Sequence, residues 1–100
     1  MAIGNHHYEP TSRIKREMSL HAQKRASQRG ISEAAAALVI AFGEREHDNH
    51  GGVRYLMTPK ALDALRRAVG STQKVEALAG VYAVVSTDGQ TIITLAHHYN

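Results

Sequence analysis

With 100 residues the chain has room for one hydrophobic core and not for a second independent unit. It contains no cysteine, which excludes disulfide and thiolate chemistry, and no apolar run approaches the roughly 18 residues of a membrane span. The net charge is only +3, but it is unevenly placed: residues 13–29 hold Arg13, Lys15, Arg16, Lys24, Arg25 and Arg29 against Glu17 alone, a local +5, and the rest of the chain carries six basic and eight acidic groups, or −2. A patch of this kind raises the encounter rate with polyanions well above what the whole-chain charge suggests, and the phosphate backbone is the obvious polyanion. The start lacks the charged-then-apolar order of a signal peptide, so a cytoplasmic protein with no membrane partner is expected.

Taken in order, residues 1–18 read as a basic, partly flexible arm, with Gly4, Pro10 and scattered charges and no apolar period, ending in a helical turn near Arg13 to Arg16. A single domain is expected over residues 19–100. Ser19 stands where a helix cap belongs; Leu20, His21, Ala22, Arg25, Ala26 and Arg29 follow, and Gly30 supplies the left-handed stop. Ser32 and Glu33 open a second helix in which Ala34, Leu38 and Phe42 recur at helical spacing before Gly43. The turn cluster Asp48, Asn49, His50, Gly51 and Gly52 then separates Arg45–His47 from the β-prone run Val53–Met57, which predicts a hairpin.

Thr58 followed by Pro59 opens a third helix with a buried stripe of Ala61, Leu62, Leu65, Ala68 and Val69, closed by Gly70, and residues 71–79 have room for a last short helix. Val81–Ser86 and Thr91–His97 flank Asp88 and Gly89, a pair suited to a tight hairpin turn. The predicted fold is therefore α+β, with amino-terminal helices packed on a small antiparallel sheet in the order helix, helix, hairpin, helix, hairpin. Alternation leaves the last strand ambiguous: a core that takes Ile93 and Leu95 exposes Thr94 and His98, and one that takes Ile92 displays His97, unless a bulge breaks the period.

His21, Arg25 and Arg29 recur every four residues and so share one side of the first helix. Guanidinium groups clamp phosphate oxygens, and they disfavour the charged form of a neighbouring imidazole, which leaves it able to accept a proton. That combination suits RNA cleavage, in which a base takes the 2′-hydroxyl proton, cations stabilise the phosphorane and an acid protonates the leaving oxygen. Arg13, Lys15, Arg16, Lys24 and Arg29 are the expected contacts to nucleic-acid phosphate, and His97 or His98 is the expected second proton carrier. Neither His47 with His50 nor the His97–His98 pair has zinc spacing, so no metal and no other cofactor is expected. The second helix offers bases nothing to hydrogen-bond, which argues against helix-turn-helix docking.

The string His21-Ala22-Gln23-Lys24-Arg25-Ala26-Ser27-Gln28-Arg29-Gly30-Ile31-Ser32, followed by Phe42-Gly43, Gly51-Gly52, Tyr55-Leu56, Tyr82 to Ser86, Asp88-Gly89 and Ile92-Ile93-Thr94, resembles a family of small bacterial and phage proteins. These are grouped with the RelE-like toxins and with the barnase, EndoU, colicin and RelE type of ribonuclease fold. The resemblance implies helices on an antiparallel sheet with a site between the first helix and the sheet, and marks His21, Arg25 and Thr94 as matching positions. It implies a toxin-like, metal-independent endoribonuclease or RNA-binding protein. The alternative is a non-catalytic phage or plasmid inhibitor of the anti-CRISPR kind, or a toxin-antitoxin component. Such a protein would bind an antitoxin, an inhibited effector or a nucleoprotein complex, as suits a chain that ends at Asn100 where the family continues into a basic tail.

Overall fold

Hydroxyl caps set the helix starts. In the computed structural model, which describes residues 16–48 and 51–98, the side chains of Ser19, Ser32, Thr58 and Thr72 accept hydrogen bonds from the backbone N–H groups of Ala22, Ala35, Ala61 and Val75 at 3.0–3.1 Å. Each satisfies a donor that the first helical turn leaves without a partner. The order is β1 (Glu17–Met18), α1 (Leu20–Arg29), α2 (Glu33–Phe42), β2 (Glu44–Asp48), β3 (Gly52–Leu56), α3 (Pro59–Val69), α4 (Gln73–Glu76), β4 (Val81–Ser86) and β5 (Thr91–His97). Gly30 ends α1 at φ 66°, the left-handed conformation that its place in the sequence predicts.

The fold is α+β, but the expected helices-then-antiparallel-sheet arrangement needs correction. Helices and strands interleave along the chain, and the sheet is mixed, five-stranded, in the order β1-β5-β4-β3-β2. The difference lies at Glu17 and Met18, which pair in parallel with Thr91 and Ile92. Backbone bonds from Glu17 N to Gln90 O and from Ser19 N to Ile92 O, both 3.0 Å, fix that edge. Two residues are too few to show a period, and their partner lies some seventy positions away, so no local pattern announces them. Arg16 is not helical; Arg13 to Lys15, the rest of the expected helical turn, lie outside the described residues.

The core fills the space between one face of the sheet and the helices, with Val81, Ala83, Val85, Ile92 and Leu95 below and Ala22, Ala26, Val39, Ile40, Leu62 and Leu65 above. The buried stripe of α3 stops at Leu65: Ala68 is exposed and Val69 is 53% exposed. In α2 the buried set is Ala36, Val39 and Ile40, with Leu38 and Phe42 partly buried and Ala34 exposed. A helix that is apolar on all sides gives little phase information.

In β5 a bulge decides the faces. The register passes from Val84 opposite Thr94 to Val85 opposite Ile92, so Ile93 is the extra residue. Ile92 and Leu95 both enter the core while Ile93 is left 40% exposed.

Gly43 joins α2 to β2 with ordinary φ, yet a Cβ there would collide with the Val39 carbonyl oxygen and sit 3.1 Å from the Leu56 nitrogen, both backbone. Gly43→Ala is expected to lower the unfolding free energy by about 1–3 kcal/mol, the usual cost of overpacking, in urea denaturation; an unchanged midpoint would contradict this packing.

Candidate phosphate-binding cleft

Helix α1 runs along β5. Ser19 Oγ donates to the Ile93 carbonyl at 2.9 Å at the start of the helix, and Arg29 at its end borders the same cleft as His97, close to the end of the strand. Ala22 and Ala26, at 0% and 8% exposure, are the residues α1 buries. Because these side chains are small, the helix axis lies close to the strand.

His21, Arg25 and Arg29 occupy one flank of α1, with His21 and Arg29 exposed and Arg25 half-buried. Arg29 lies eight positions beyond His21, about 12 Å along the helix at roughly 1.5 Å per residue. Lys24 is exposed on the same helix.

The cleft has a volume of about 190 Å³ and lies where the end of α1, the start of α2, the residues around α4 and the end of β5 meet. Arg29 comes from α1, Lys74 from α4 and His97 from β5, with Ser32 at the α2 cap and Ile31, Ala35, Ala77 and Leu78 forming the apolar walls. His97 is half-buried, with its Nδ1 wholly buried. Three groups able to carry positive charge thus reach one small concavity from three elements. Arg29 and Lys74 are both exposed, so their attraction for an anion at this cleft is partly screened by solvent and salt.

The other expected site residues are dispersed. Thr94 stands in the register row Glu46, Arg54, Val84, Thr94, on the face of the sheet away from Leu95 and the helices. In that row Arg54 is paired with Glu46 and lies over the Tyr82 ring, 5.3 Å from its centroid. His98 is exposed and borders a separate cleft of about 530 Å³ with Leu62, Arg66 and Gly80. Arg16 borders a further one with Glu17, Gln23 and Glu33, and Arg13 and Lys15 lie outside the described residues. Among the described residues no cluster of three or more His, Cys, Asp or Glu side chains is placed to hold a metal ion.

Lys74 is the contributor that sequence reading misses. Its helix has only four residues and is fixed from outside: Arg66 Nε and Nη2 each donate to Glu76 at 2.6 Å, and Ser71 Oγ donates to the same carboxylate at 2.9 Å. The hydrogen bond from Arg66 and then that from Ser71 hold the Glu76 pKa down at about 2. Compared with family models, curated proteins and solved structures, the chain matches none.

The Glu76 carboxylate is more acidic in the folded than in the unfolded chain, so its contribution is fully present above the ordinary value of 4.5 and is lost as pH falls toward about 2. Urea midpoints measured across that window should fall more steeply for the wild type than for Glu76→Gln. Parallel pH profiles would show that the Arg66 clamp does not hold α4.

Proposed function

We propose that the protein binds RNA through its phosphates, using the Arg25–Arg29 flank of α1 and the cleft at the end of that helix. The observation that carries this reading is the convergence of Arg29, Lys74 and His97 on one cleft. The resemblance of residues 21–32 to RelE-like proteins points the same way, and the local charge of residues 13–29 supplies long-range attraction.

Cleavage without a metal is the further activity this toolkit suggests, with His97 as a proton carrier and Arg29 and Lys74 stabilising the phosphorane. Binding has the stronger support. His21 is about two helical turns from Arg29, and His98 borders a different cleft, so a second imidazole is not gathered at the same phosphate. A second reading, docking on a protein such as an antitoxin or an inhibited effector, is favoured by Leu20 and Ile93. They are 83% and 40% exposed and sit beside Ser19 at the head of α1.

For single-stranded RNA the affinity should fall linearly on a log–log plot against salt, and Arg29→Gln should reduce the magnitude of that slope by about 0.7, one phosphate contact. Thr94→Ala should leave it unchanged. A flat salt dependence for the wild type would remove the proposal. In the same samples with a chelator present, cutting that disappears in His97→Ala would identify a metal-independent ribonuclease; intact RNA with retained binding identifies a binding protein.

A further inference from the structure

We infer that the Arg29–Lys74–His97 cleft is a site for a phosphate monoester, the group found at the end of a nucleic-acid strand or on a free mononucleotide, rather than for the internal diester of a continuous strand. The RNA reading above enters only in naming the source of the monoester; the site itself rests on the size, charge and donors of the cleft.

Size comes first. A volume of about 190 Å³ is below the roughly 300 Å³ at which pockets for whole small molecules begin. It suits a phosphate group with its nearest waters, while the base and sugar attached to it remain outside.

Charge comes second. A phosphate monoester carries about −1.5 to −2 at neutral pH, whereas an internal diester carries a single negative charge. Arg29 and Lys74 present two positive charges, and none of the residues bordering the cleft is acidic. Of the nearest carboxylates in sequence, Glu33 borders a separate cleft with Arg16 and Gln23, and Glu76 is held by Arg66 and Ser71.

The remaining donors fit as well. Ser32 Oγ accepts from Ala35 N at 3.0 Å, which leaves its O–H to donate to a ligand oxygen. The guanidinium of Arg29 can present two parallel N–H groups to two phosphate oxygens.

The test compares one short RNA in three forms, 5′-phosphorylated, 3′-phosphorylated and hydroxyl-ended, together with a nucleoside monophosphate and inorganic phosphate, by calorimetry and amide NMR on the whole protein. One phosphate-ended form should bind at least about tenfold tighter than the hydroxyl-ended form, since a charge-assisted contact typically exceeds the 1.4 kcal/mol that a factor of ten represents. Lys74→Gln and Arg29→Gln should each remove most of that preference, and Lys60→Gln, on the exposed start of α3, should keep it. Equal affinity for all three RNAs would overturn the monoester site while leaving RNA binding in place. Binding of the mononucleotide or inorganic phosphate, lost in Lys74→Gln, with no affinity for any RNA, would support the site and refute the RNA reading. Failure of every probe would overturn both.

Discussion

The seating of α1 on β5 determines where every other charged group of interest can reach. Ser19 makes this contact from both ends of the residue. Its hydroxyl caps α1 by accepting from Ala22 N and donates to the Ile93 carbonyl, while its own N–H donates to Ile92 O. One residue therefore starts the helix, bonds to the bulged part of the last strand and ends the short parallel edge strand. Ala22 and Ala26 then let the helix lie close against the sheet, since neither has a side chain long enough to hold it off. From that start, ten residues bring Arg29 to the cleft it shares with His97.

The bulge at Ile93 is the second half of the same constraint. Without it Ile92 and Leu95, three positions apart, would face opposite sides of the sheet, and one of them would leave the core. With it both are buried, and His97, two residues beyond Leu95, falls on the helix-covered side, where it borders the same cleft as Arg29 and Lys74. The same geometry sends Thr94 to the other face, beside the Arg54 and Tyr82 pair. The imidazoles at positions 21 and 97 are thereby held at opposite ends of α1. Under the proposed RNA reading, this spread suits a surface that tracks several phosphates better than a compact acid–base centre acting on one.

Much of this architecture is legible in local sequence because local chemistry fixes it. Ser19, Ser32 and Thr58 are caps by residue type and spacing, Gly30 is a stop because its backbone must take positive φ, and Asp88-Gly89 marks the last hairpin. The illegible parts are those set by distant partners. Glu17 and Met18 are a strand only because β5 offers them an edge, and Ile93 is a bulge only because both of its neighbours on the core side are required there. The site divides in the same way. The α1 flank follows from a spacing of four, and His97 stood among the candidates, but the cleft they form includes Lys74, whose position depends on a four-residue helix clamped through Arg66 and Glu76. No periodicity within residues 71–79 reveals that clamp.

The central claim is that the productive surface lies where α1, α4 and the end of β5 meet. Titration of isotopically labelled protein with single-stranded RNA, followed through backbone amide resonances, tests it most directly. The account predicts that the largest shifts fall on Arg29, Gly30, Ser32, Lys74 and Ala77 around the cleft, with smaller ones along α1. Shifts confined to Arg54, Tyr82 and Thr94 on the uncovered sheet face, with the cleft amides unmoved, would contradict it.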